Sequence, residues 1–147
     1  LALGDMKTKS QKNLMLTVTA CALAEALEAA CQLDQALAVI DDALSHAPAG
    51  DETWEAPELL RVKASIILSM PQPDEAVAER CLLRAVELAN QQGARGWELR
   101  ATMTLARLRS MQLRSAEGRA QLTKIYDQFT EGLDTQDLRA ARDLLQA

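Results

Sequence analysis

Aromatic side chains are nearly missing from this chain: two Trp, one Tyr and one Phe make up 3% of its 147 residues. Runs of β-branched and aromatic residues, the material of strands, are equally scarce, which argues against a sheet-built core. There is a single histidine, His46, so no Ser/His or Cys/His arrangement offers a nucleophile with its base. No zinc site is expected either, because Cys21, Cys31 and Cys81 form no C-x-x-C pair and His46 is the one histidine to join them. A basic surplus is lacking as well. The net charge is −5, whereas a nucleic-acid binder needs a cationic footprint to displace counterions. No apolar run approaches the ~20 residues that cross a bilayer, and no secretory leader is recognisable behind Lys7, Lys9 and Lys12. The chain opens at Leu1 rather than Met, as an excised piece of a longer protein would.

What is present is Ala and Leu. Hydrophobic residues are 48% of the chain, and with so few aromatics these two best helix formers must build the core. The expected fold class is all-α, in one domain spanning 1–147. Its three cysteines fit small buried hydrophobes in a reducing cytoplasm. Cys21 and Cys31 lie ten positions apart on one expected helix, about 15 Å, too far for a disulfide.

Seven helices are expected. The first covers about 10–31, with Leu16, Leu23 and Leu27 at helical intervals. Asp34 is the expected N-cap of a second helix through Ser45, and Pro48-Ala49-Gly50 breaks the chain. Asp51 or Thr53 starts a third helix ending before Pro71. Asp74-Glu75 opens a fourth, stopped by Gly93. A fifth runs from Gly96 to Met111, a sixth from Ala116 to Phe129, and Asp134 or Thr135 caps a last one, 136–145. Short connections fold neighbours back on one another. The expected units are hairpins at roughly 10–47, 51–92 and 96–130, with a capping helix at roughly 135–146.

A register recurs through these hairpins. Their second helices carry Ala36-Ile40-Ala43, Ala78-Leu82-Ala85 and Gly118-Leu122-Ile125, at offsets of 42 and 40 positions. Glu58-Leu59 and Glu98-Leu99, in the first helices, also repeat 40 apart. Equivalent inward residues at a fixed period are the mark of stacked repeats.

The spacing Ala36, Ile40, Ala43, Pro48, preceded by Ala20, Leu23, Ala24 and Leu27, resembles the tetratricopeptide repeat. Later units are longer than the family's ~34 residues, Trp54 and Trp97 precede its Trp position, and Gly118 replaces its Ala. Over nearly the whole chain, Leu33-Asp34-Gln35-Ala36-Leu37, Trp54-Glu55-Ala56 through Arg61, Gly93 through Ala101, Thr104 through Leu108 and Tyr126 through Thr135 with Asp137-Leu138 resemble something more specific. They look like the C-terminal repeat region of bacterial class III adenylate cyclases and related ATPase-type regulators. Cys31 stands where that family usually has Gly. The resemblance implies a non-catalytic regulatory segment, with cyclase or DNA-binding domains elsewhere in the polypeptide.

No chemistry competes with that expectation. Gly93 and Gly96 are the only closely spaced glycines, and no Lys-Ser/Thr follows them to make a phosphate loop. Asp41-Asp42 point about 100° apart on a helix. No cofactor, metal site or catalytic residue is expected. Charge does segregate: residues 95–119 carry Arg95, Arg100, Arg107, Arg109, Arg114 and Arg119 against Glu98 and Glu117. That is +4 locally and −9 for the remainder. Arg100 and Arg107 share a helix face. With Met103, Met111, Lys63, Glu25 and Glu28 they form the candidate protein-binding groove, acidic at one end and basic at the other; solvated arginines with local ion pairs, such as Arg95–Glu98, are the alternative. The expected partner is a protein, a peptide or another domain of the same polypeptide, with a homodimer as the third option, and neither nucleic acid nor membrane.

Overall fold

The computed structural model describes residues 2–46 and 54–147. Within them the chain is all-helical: α1 (Ala2–Ala29), α2 (Leu33–Ser45), α3 (Ala56–Leu68), α4 (Glu75–Gln91), α5 (Arg95–Met111), α6 (Ser115–Tyr126) and α7 (Gln136–Gln146). The break at Pro48–Gly50 and the helix start at Asp51 or Thr53 lie outside the described residues. Pro57 sits in the first turn of α3, where its missing N–H costs nothing. Asp74 caps α4 by accepting from the Val77 N–H at 3.0 Å. Asp34 is not a cap: it lies in the first turn of α2, which begins behind Gln32.

Three of the turns share one device. Cys31, Gly93 and Leu113 have φ of 59°, 66° and 61°, and the N–H after each reaches back across the helix end. These bonds are Gln32 to Leu27 at 2.8 Å, Ala94 to Ala89 at 2.9 Å and Arg114 to Arg109 at 2.7 Å. This left-handed C-terminal cap favours glycine, so Cys31 and Leu113 carry strain that Gly93 does not. The Leu113 side chain is 94% exposed and packs on nothing that offsets it. Leu113→Gly is expected to raise stability by about 0.5–1 kcal/mol, the left-handed penalty less the added freedom of the unfolded glycine. Urea denaturation measures it; a loss of stability would contradict the turn geometry.

Consecutive helices pack pairwise, and α1 meets α3, α3 meets α5 and α5 meets α7. No backbone approach joins α2 to α4 or α4 to α6. The apolar interior divides accordingly. Cys21, Ala24, Ala36, Ile40, Leu59, Val62 and Ile66 join α1, α2 and α3. Ala64, Ile67, Ala78, Leu82, Leu105 and Leu108 join α3, α4 and α5. Leu99, Met103, Ala106, Leu122, Ile125, Leu138 and Ala141 join α5, α6 and α7. Of the nine register positions, all but half-buried Ala43 are buried.

The first-helix register differs from the sequence expectation. The turn between α3 and α4 holds six residues and that between α5 and α6 only three. The residues of each first helix that pack on its own hairpin partner are Ala64 and Ile67 in α3 but Met103 and Ala106 in α5, 39 positions on rather than 40. Glu58-Leu59 and Glu98-Leu99 are not equivalent: Leu59 packs with α1 and α2, while Leu99 packs with α6 and α7.

Candidate interaction face

A chain of alternating charges crosses the row α1–α3–α5–α7. Glu25 of α1 accepts from the Arg61 guanidinium at 2.9 Å, and Arg61 reaches Glu58, one turn back on α3, at 2.8 Å. Glu58 also meets Arg100 of α5 at 2.5 Å, and Arg100 lies 3.9 Å from Asp137 of α7. The centre is enclosed, with side-chain exposures of 12% for Arg61 and 10% for Glu58. Burial alone would loosen the proton on Arg61; hydrogen bonds to Glu58 and Glu25 outweigh it and raise the guanidinium above its ordinary pKa. Beside this ladder lies a cavity of about 240 Å³, lined on its apolar side by Leu14, Val18, Cys21 and Trp97.

The seven candidate residues are not gathered into one groove. Glu25 and Arg100 stand on this face but are neutralised within the protein. Glu28 is likewise engaged, accepting from the hydroxyls of Ser65 at 3.2 Å and Ser69 at 2.5 Å. Lys63 turns the other way, to Asp41 of α2 at 2.7 Å. Met103, 5% exposed, is a core residue. Arg107 and Met111 are exposed and line a separate cavity of about 460 Å³ between α5, α6 and the end of α7. Arg95 donates to the Gln128 carbonyl at 3.4 Å, and Glu98 accepts instead from Asn90 at 3.1 Å.

Sequence reasoning missed Arg61 and Glu58 as the hub. Their three-residue spacing on one helix was the available signal. It also missed a second cluster, in which Arg109, 8% exposed at its side chain, meets Glu79 of α4 at 3.4 Å and Glu117 of α6 at 2.7 Å. Arg114 meets the same two carboxylates, at 3.2 and 2.8 Å. A hydrogen bond from Arg114 holds the Glu117 carboxyl below its usual range.

The cysteines differ in environment. Cys31 is exposed, Cys81 half-buried and Cys21 buried. Burial, assisted by Glu58, pushes the Cys21 thiol from 9.0 to about 12, and burial raises Cys81 too. Ellman's reagent is expected to find one fast thiol, Cys31, with the other two reacting on unfolding. The unfolded Cys21 ionises near pH 9 and the folded one near 12, so its contribution to stability is complete below pH 9 and is lost as pH rises towards 12. Cys21→Ala should flatten that alkaline decline; an unchanged slope would contradict the burial.

Among the described residues no cluster of His, Cys, Asp or Glu is placed to hold a metal ion, and no helix is long and apolar enough to cross a membrane. The described residues form an all-helical protein in which charged side chains of neighbouring helices pair with one another. Comparison with protein-family models, curated proteins and solved structures finds no match.

Proposed function

We propose that the chain is a stack of three tetratricopeptide-like hairpins with a capping helix, serving as a non-catalytic interaction and regulatory segment of a larger bacterial signalling protein. One observation carries the reading: each apolar core is made by one hairpin plus the first helix of the next. A hairpin that shares its core only with its neighbours is a repeat unit, and a row of first helices presents a continuous surface for a partner. The parent polypeptide is in this reading a class III adenylate cyclase or an ATPase-type regulator, its chemistry residing in other domains.

Two assays test it. A random peptide library displayed on phage should yield binders to this chain, with affinity lost on Val18→Asp at the inner cavity; selection that enriches nothing counts against an interaction segment. The isolated chain should convert no ATP to cyclic AMP, and measurable turnover would overturn the non-catalytic reading. A second reading, self-association, is favoured by Met15, Leu16 and Val18 of α1, which are 70%, 62% and 58% exposed. Light scattering distinguishes it: a dimer dispersed by Leu16→Glu supports it, and a monomer at high concentration removes it.

A further inference from the structure

We propose that the cavity between α4 and α6 receives the guanidinium of an arginine carried by a partner protein, with Glu98 as its counter-ion. The inference rests on the reading of the chain as an interaction segment and names the chemistry of the partner.

α4 and α6 make no backbone approach to each other, and α5 packs on both. The gap between them holds a cavity of about 200 Å³, room for one long side chain. Glu98 of α5 lines it and is only 4% exposed. One hydrogen bond reaches its carboxylate, from the Asn90 side-chain amide at 3.1 Å. Among the described residues no lysine or arginine pairs with it. Glu58 and Arg109, also enclosed, are each matched by two opposite charges: Glu58 by Arg61 and Arg100, Arg109 by Glu79 and Glu117. An enclosed carboxylate with only a neutral partner is costly. A cation brought by a partner removes that cost and gains a charge-assisted hydrogen bond.

A guanidinium fits what surrounds Glu98. It is planar, presents five donors and gives up water more readily than an ammonium. Asn90 uses its amide nitrogen on Glu98 and keeps its oxygen, and Gln121 and Gln128 of α6 add two more amide oxygens to the lining. Leu83, Val86 and Ile125 offer apolar surface to the aliphatic stem. The rim has the opposite sign. Lys124 lines the cavity and Arg95 donates to the Gln128 carbonyl at 3.4 Å, both side chains being exposed. These two cations favour carboxylates on either side of the entering arginine, so the segment that fits reads acidic–arginine–acidic. Alternating charges of this kind select the partner as much as they tighten binding.

The test follows methyl NMR of the 147-residue chain titrated with three probes. They are acetyl-Asp-Arg-Asp-amide, the same peptide with citrulline as the neutral isostere of arginine, and spermidine. The arginine peptide is expected to shift the Leu83 and Ile125 methyls and to bind about tenfold tighter than the citrulline peptide. In Glu98→Gln that preference should vanish. The substituted amide still accepts from Asn90 and removes an enclosed charge, so this variant should melt no lower than the parent, and Lys124→Met should melt with the parent. A lower melting temperature in both would mean that Lys124 fills the cavity itself and would overturn the proposal. So would equal binding of the two peptides, a preference that survives Glu98→Gln, or spermidine binding tighter than the arginine peptide, which would make the ligand a free polyamine. If the arginine peptide fails while phage selection enriches binders indifferent to Glu98→Gln, the cavity is wrong and the interaction segment stands; if the selection enriches nothing, the reading beneath the proposal fails with it.

Discussion

Arg61→Ala is expected to destabilise the chain by about 3 kcal/mol, the loss typical of removing one partner of an enclosed ion pair. Arg61 satisfies Glu58 within the row of odd-numbered helices, where only 10% of the Glu58 side chain meets solvent. Truncation leaves that carboxylate with Arg100 alone and takes the cation from Glu25. The Glu25 bond adds less, since 49% of that side chain is exposed and water replaces the lost partner. Arg84→Ala is the control. Arg84 and Glu87 are also an i,i+3 pair at 2.8 Å, but their side chains are 49% and 56% exposed, and its removal should cost no more than about 0.5 kcal/mol. Chemical denaturation of both variants provides the comparison. Equal losses would mean that the ladder is not an enclosed structural element.

Gly118→Leu is expected to cost a similar amount or to open the third hairpin. A Cβ added at Gly118 would stand 2.9 Å from the Ala106 Cα and 3.1 Å from its carbonyl oxygen. These are backbone atoms of α5, so the helices themselves must separate. Even Gly118→Ala, which gains about 1 kcal/mol of helix propensity, should lose stability overall, because overpacking against a fixed backbone costs about 1–3 kcal/mol. Gly96, in the first turn of α5, has nothing within 4 Å of an added Cβ. Gly96→Ala should therefore stabilise by about 0.5 kcal/mol. Opposite signs for one substitution at two helical glycines would identify position 118 as the closest approach of α5 and α6. Stabilisation at both would contradict it.

Much of the helical layout was legible from the sequence. Pro71, Pro73 and Gly93 mark ends that the backbone respects, and Ala36, Ala78 and Gly118 announce close contacts by their size. The orientation of the first helices was harder to read. Spacing within a helix shows which residues share a face, but the face that meets a given neighbour depends on the intervening turn. The turn between α3 and α4 is three residues longer than that between α5 and α6, so the 40-position offset of the second helices does not carry over to the first. Lys63 and Met103 were misplaced for the same reason: one turns to α2 and the other into the core. The burial of Arg109, Glu55 and Glu98 was not legible because charged residues rarely go inside. Their burial becomes visible only when three helices are assembled around them.

The stack is tested most directly by the distance between its first and last inner helices. Spin labels at Ala22 of α1 and Arg139 of α7, both exposed, on a chain with Cys21, Cys31 and Cys81 replaced by alanine, report it by pulsed electron paramagnetic resonance. With α3 and α5 lying between α1 and α7, and neighbouring axes about 8–10 Å apart, the separation should be about 30 Å. A population centred below about 15 Å would place α1 against α7, as in a closed bundle, and would contradict the stack.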